Sequence, residues 1–291
     1  MNQDADRIDI RPIEPGQEEA LEAFLVEHLQ SSMFLLSNLK RAGLKNQGKP
    51  YEGAYLGAWK GESLCGVSAL YWNGMLILQS MGHTAALVEG HQARDMGAPS
   101  GLVGPWAQVE AAREALGAQQ WPCRMNSREY LYDLPLDALE VPPALASGQV
   151  RCRRATLEDL EVLIPWRLAQ KEEMEGGVRS EEDKAGLIAG VYRAQSEGVQ
   201  WVLERQGELV SMSTFNAHLP QCVQIGGVYT PPALRGNGHA RAVVAGSLLV
   251  ARSNGTGRSI LFTGEHNEPA QRAYLALGYR RVGQYGIVLF G

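Results

Sequence analysis

A mixed α/β fold, built twice in tandem with a central mixed β-sheet flanked by helices in each copy, is predicted by three features of the chain. β-branched apolar runs alternate with stretches of helical period. One order of elements recurs in both halves. And 291 residues are enough for two ordinary domains, length over roughly 150 being the usual first guess. The expected domains are residues 1-138 and 149-291. A linker is expected over 137–149, where Pro142-Pro143 and Ser147-Gly148 interrupt regular structure.

In the first half the pattern predicts a strand at Ile8–Pro12 and a helix running from Glu18 to Leu29 and onward. A hairpin of Ala54–Trp59 and Leu64–Leu70 follows, then strands Met75–Gln79 and Gly101–Val103 and a helix over Ala107–Leu116. In the second half, strand Val150–Arg154 leads into a helical stretch from Thr156 that contains Pro165. A second helix starts at Ser180, with Asp183 at the capping-box position. Trp201–Arg205 and Leu209–Phe215 flank a Gln206-Gly207-Glu208 turn. The apolar run Ile225–Thr230 reads as a strand because Pro231 and Pro232, lacking N–H groups, stop it. Ala240, Val243, Val244, Leu248 and Ala251 then mark an amphipathic helix, Ser259–Thr263 a strand, and Gly286–Phe290 the end of the last strand. Gly61-Glu62 echoes Gly207-Glu208, and Ala115-Leu116-Gly117 echoes Ala276-Leu277-Gly278.

Chemistry concentrates between Gln224 and Tyr279. The turn Arg235-Gly236-Asn237-Gly238-His239-Ala240-Arg241 stands at the start of a helix. There, unpaired N–H groups and the positive end of the helix dipole form a receptor for phosphate if no side chain blocks the backbone. Gly236, Gly238 and Ala240 leave that approach open, and Arg235 and Arg241 add charge. Further on, Asn267 is a favoured N-cap, Pro269 suits a first turn and Gly278 a left-handed stop. Asn267 and Tyr274 are about two turns and ~10 Å of rise apart, so both can line one groove.

These residues resemble the cofactor half of the GNAT superfamily of N-acetyltransferases. Arg235-x-x-Gly238-x-Ala240 matches its Arg/Gln-x-x-Gly-x-Gly/Ala signature. Asn267, Ala270, Tyr274, Gly278 and Tyr279 match its Asn-x-x-Ala-x-x-x-Tyr-x-x-x-Gly-Phe/Tyr pattern. The resemblance covers about residues 150–291 well and the first half in outline. It implies two GNAT-like domains in tandem, with acetyl-CoA as cosubstrate bound between two splayed parallel strands, those of Val228 and Phe262. Backbone groups of Val228 and Thr230 would hold the pantetheine arm. Residues 235 to 241 would hold the diphosphate, with the backbone of His239 taking part while its side chain points to solvent. Asn267 would meet the pantetheine amides.

Transfer of the acetyl group to a primary amine by direct attack on the thioester is the implied reaction. Tyr274 is the candidate acid for the departing thiolate, since a phenol with a reference pKa near 10 is protonated at neutral pH. Glu265, with His266 beside it, is the candidate base; Glu173 and His218 are alternatives. Aligned on its terminal glycine, the first half has Arg113 in the place of Tyr274 and Trp106 in that of Asn267. Ser80-Met81-Gly82-His83-Thr84 there lacks the arginine and the paired small residues. The first domain is therefore expected to be a degenerate copy without its own cofactor.

Composition narrows the classes. The net charge of −5 with mixed signs gives no basic stripe for nucleic acid, and no apolar run approaches the ~20 residues that cross a bilayer. The start MNQDADRIDIRP is not a secretory signal, so the cytoplasm is expected. Cys65, Cys123, Cys152 and Cys222 lack metal or disulfide spacing and read as core thiols; no metal is expected. The acceptor, a small-molecule amine or a peptide or protein amine, stays open, as does a homodimer. So does a second class of function, a catalytically silent acetyl-CoA-binding sensor. A nucleotide-phosphate loop is disfavoured, because neither Gly-Lys-Ser/Thr nor Gly-x-Gly-x-x-Gly is present.

Overall fold

The structure is a computed structural model that describes residues 7–291. Part of the segment read for a secretory signal lies outside the described residues. In chain order the elements of the first half are β1 (Ile8–Pro12), α1 (Glu18–Glu27), α2 (Leu29–Ala42), β2 (Gly53–Lys60), β3 (Ser63–Tyr71), β4 (Met75–Ser80), α3 (Thr84–Gln92), β5 (Gly101–Pro105), α4 (Trp106–Ala115) and β6 (Cys123–Pro135). A 3-10 turn at Leu136–Ala138, α5 (Pro143–Ala146), β7 (Arg151–Arg154), α6 (Leu160–Glu175), α7 (Glu181–Ser196), β8 (Gln200–Arg205), β9 (Glu208–His218) and β10 (Cys222–Tyr229) follow. Another 3-10 turn at Pro232–Leu234, α8 (His239–Ser253), β11 (Arg258–Gly264), α9 (Glu268–Leu275) and β12 (Arg280–Phe290) complete the chain. This is the mixed α/β architecture the sequence predicts.

The chain forms two compact units, Met1–Leu131 with Gly283–Gly291, and Tyr132–Val282. In the first, the strands lie in the order β1-β2-β3-β4-β5-β12, with β4 and β5 parallel and the other pairs antiparallel. The C-terminal strand, read from sequence as the end of the second domain, thus pairs with β5 of the first unit, Ile287 opposite Val103. Val288 and Phe290 are buried there with Leu76, Leu78, Leu102 and Val109. Alternation can announce a strand, but it carries no information about which sheet receives it. The single helix expected from Glu18 is two, because His28 leaves helical geometry (φ −106, ψ 31) and its ring turns against Phe24. The segment expected to be a linker, 137–149, holds part of a 3-10 turn and α5 inside the second unit.

In the second unit the strand order is β11-β10-β9-β8-β7, with β10 and β11 parallel and the rest antiparallel. Successive side chains face opposite sides of a strand, so the sheet divides cleanly. Val202, Met212 and Tyr229 pack with Leu160 and Leu163 of α6 and Val191 of α7. Leu203 and its partner Cys152 face the other side, where α8 lies so close that a Cβ on Gly246 would stand 2.2 Å from that of Cys152. Arg153 forks onto Asp159 and reaches Glu204, tying β7 to the start of α6 and to β8. Those hydrogen bonds hold the Asp159 carboxyl below its ordinary range despite burial. Ser180 caps α7 as expected, its Oγ accepting from the Asp183 N–H at 3.0 Å.

Cys222 is buried, but Cys123 is exposed on β6, so the reading of all four cysteines as core thiols fails at that residue. Among the described residues no helix is long and apolar enough to cross a membrane.

Candidate functional site

The site begins with an irregularity in β10. Gly226-Gly227 lies in mid-strand, where glycine weakens a ladder and often marks a bulge. Pairing with β9 passes from Gly226 opposite Thr214 to Tyr229 opposite Met212, so β10 carries one extra residue here. Gly227 takes a left-handed φ of +57, and the Asn216 side chain occupies the place where Gly226 would carry a Cβ. The parallel pairing of β10 with β11 runs only from Cys222 opposite Arg258 to Gln224 opposite Ile260. Beyond Gln224 the two strands part, and they are the pair containing Val228 and Phe262. The Val228 carbonyl already accepts from Gln170 Nε2 at 2.9 Å, and the Thr230 carbonyl from Arg235 Nε at 2.9 Å.

After β10 the chain turns through Pro232–Leu234 and reaches Gly236 and Gly238, both left-handed at φ +81 and +74, before α8 starts at His239. Asn237 Nδ2 donates to the Leu234 and Arg235 carbonyls, closing the turn. The backbone amides of Gly236, Asn237, Gly238, His239, Ala240 and Arg241 make no hydrogen bond to the protein; the first to do so is Ala242, onto Gly238. Six free N–H groups at the positive end of a helix dipole form an anion receptor. The Arg241 guanidinium lies over Gly238, and its Nε has no partner.

Arg235 is held differently from the expectation of a free cation. Its guanidinium grips both Glu173 oxygens, at 2.8 and 2.7 Å. Glu173, an alternative base in the sequence reading, is thereby engaged, and it also accepts from the Tyr229 hydroxyl at 3.5 Å. His239 corrects a second expectation. Its side chain is buried at 5% exposure instead of facing solvent, because it opens the stripe His239, Ala242, Val243 and Gly246 that α8 presses on the sheet. Burial and the nearby Arg205 charge lower its pKa.

Past β11, Asn267 caps α9, its side chain accepting from the Ala270 N–H at 3.3 Å. Gln271 Nε2 donates back to the Gly264 and Glu265 carbonyls and braces the connection. Tyr274 is 8% exposed, its ring 6.4 Å from that of Tyr132 and 6.0 Å from that of Tyr279. Glu265 is partly buried, 3.7 Å from the Nε2 of the exposed His266.

Sequence reasoning missed what α6 brings. Leu160, Leu163, Arg167 and Gln170 recur at i, i+3, i+7 and i+10 on its inward stripe, and Arg167 Nη1 donates to Gln170 Oε1 at 2.8 Å. Two polar residues at core-facing helical positions were the available signal.

The first unit has a parallel pair of its own, β4 with β5, in register from Met75 to Ile77, and Leu78 still lies against Gly104. The Ser80 N–H at the end of β4 donates to Gln108 Oε1 of α4 at 2.9 Å, and the Ser80 Oγ accepts from the His83 N–H. A side chain of the protein thus takes up the N–H at the end of β4.

Residues 163–279 match the family model described as "Acetyltransferase (GNAT) family". No curated protein matches the chain. Three solved structures share the fold over nearly its whole length. A Drosophila protein covers 96% of this chain and 98% of its own, at 14% identity and a TM-score of 0.66. A GCN5-related N-acetyltransferase from Sphaerobacter thermophilus covers 97% and 95%, at 15% identity and 0.58. A tandem GNAT protein from the clavulanic acid biosynthesis pathway covers 97% and 98%, at 12% identity and 0.57. The likeness to these three is one of fold.

Proposed function

We propose that this chain, whose residues 163–279 match the model of the GNAT acetyltransferase family, moves an acetyl group from acetyl-CoA to a primary amine by direct attack on the thioester. The single observation that carries this reading is the run of six free amides from Gly236 to Arg241. It follows directly on a strand that has just left its parallel neighbour. A diphosphate fits the first and an amide-bearing pantetheine arm fits the second.

In this reading Arg241 adds charge around the diphosphate, Arg235 adds its own only on leaving Glu173, and Asn267 meets the pantetheine arm. The N–H of Gly227 or Val228, at the bulge, donates to the thioester carbonyl as its oxygen gains charge. One such preorganised donor is worth ~3 kcal/mol in other enzymes. The amine nitrogen bonds to the carbonyl carbon and gives up a proton, for which Glu265 with His266 is the proposed acceptor. The carbon–sulfur bond then breaks, and Tyr274 supplies a proton to the leaving thiolate. The first unit is proposed as a silent copy, its strand end filled by Gln108.

The test is to titrate acetyl-CoA calorimetrically and then assay free thiol release over a panel of amines. Saturable binding followed by amine-dependent thiol release is expected. Binding without transfer to any amine would make the protein a silent binder, and an absence of binding would remove the basis of the reading.

A further inference from the structure

We propose that Arg167 is a receptor for a carboxylate on the acceptor, so that the amine acetylated is an amino acid or another small amine carrying a carboxylate. This rests on the acyl-transfer reading above.

The inward stripe of α6 starts as a core surface, with Leu160 and Leu163 buried against the sheet, and then changes character at Arg167 and Gln170. Arg167 donates to Gln170 Oε1 at 2.8 Å, and Gln170 donates onward to the Val228 carbonyl at 2.9 Å. The guanidinium therefore stands two hydrogen bonds from the bulge in β10 where the thioester carbonyl is received. It approaches from the face of the sheet covered by α6 and α7, whereas the diphosphate turn opens α8 on the opposite face. A group on the α6 face can meet the acceptor without competing with the donor.

The arginine is half-buried, and burial disfavours its charge, yet a guanidinium stays protonated in a protein. It has five N–H donors, and its one hydrogen bond is to a neutral amide. No carboxylate pairs with it among the described residues. Glu175, whose negative charge acts on Arg167, is engaged by Lys171 at 2.9 Å. Two other arginines of the unit do have carboxylates: Arg153 holds Asp159 and Glu204, and Arg235 holds Glu173. A partly desolvated fork with unused donors, oriented by Gln170, matches the two oxygens of a carboxylate.

The experiment uses the 291-residue chain at saturating acetyl-CoA and compares matched pairs: glycine with glycinamide, alanine with alaninamide, glutamate with its α-amide. An amide's amine is less basic and more often neutral at pH 7, which works against the expected preference. The amino acids are expected to be favoured in kcat/KM by ~10-fold or more, the scale of a charge-assisted hydrogen bond. Arg167→Gln should remove that preference mainly through KM, with the acetyl-CoA Kd unchanged. Arg167→Lys should keep part of it, and decides the matter together with the unaltered protein if Arg167→Gln does not fold. The proposal is overturned if amides are used as well as acids, if the preference survives both substitutions, or if acetyl-CoA binds but no amino acid is acetylated. Failure to bind acetyl-CoA would overturn the acyl-transfer reading itself.

Discussion

Tyr274, the proposed acid, is buried between the rings of Tyr132 and Tyr279. Phenylalanine keeps that packing and removes only the hydroxyl. Tyr274→Phe is therefore expected to lower kcat by about 100-fold or more, the usual contribution of a positioned acid, with acetyl-CoA affinity kept. An unchanged kcat under conditions where chemistry limits the rate would remove the acid role. Fixed spacing singled out Arg235, Gly238, Ala240, Asn267 and Tyr274 in the sequence as candidates. The burial of His239 and the inward direction of Arg167 were not legible there, since both depend on which face a helix turns to its sheet. His91 of the first unit makes a prediction in pH. Burial, helped by the Arg94 charge, lowers its pKa to about 4, while Nε2 pairs with Ser68 Oγ. The unfolded chain takes up this proton near pH 6.5 and the folded chain only near 4, so stability falls as pH drops through that window. The loss from this group is about 3 kcal/mol in all. Urea unfolding at stepped pH should show it, and His91→Gln, which keeps a partner for Ser68, should flatten the slope.

The elements of the second unit came out of the sequence with small shifts at their ends, because prolines, caps and a glycine turn bound them. Ser180 and Asn267 cap as their types predict. The bulge did not come out: Gly226-Gly227 announces an irregular strand, but the count of three residues against two exists only once β9 is paired. Helix α8 positions the anion receptor by lying flat on the sheet, and Gly246 makes that possible by meeting Cys152 without a side chain. Gly246→Val should destabilise the protein by about 1–3 kcal/mol, since neither the helix nor β7 has room to give. Equal urea midpoints for the two proteins would show that α8 does not depend on this contact.

Across the chain as a whole, the order of strands and helices was readable apart from α3 and β6, and with it the mixed α/β class. The exchange of strands was not. β6 leaves the first unit after Leu131, and β12 returns to it at Gly283. The last nine residues thus complete the sheet and core of the unit in which the chain begins. Tyr285, Val288 and Phe290 are buried there, and each is worth about 1.5–3 kcal/mol when fully buried. Their sum is comparable with the ~5–15 kcal/mol that holds a domain folded. Truncation after Val282 should therefore unfold the first unit, seen as protease cleavage before Leu131 at a protease level that leaves the full chain intact. A truncated chain that resists the protease would show that β12 is dispensable.

The account depends most on the amides of the turn before α8. Acetyl-CoA titrated into uniformly 15N-labelled protein reports on them one by one. The N–H resonances of Gly236 through Arg241 are predicted to move together and saturate at one equivalent, as free donors taking up a diphosphate must. Saturable binding that leaves those six resonances in place would contradict it.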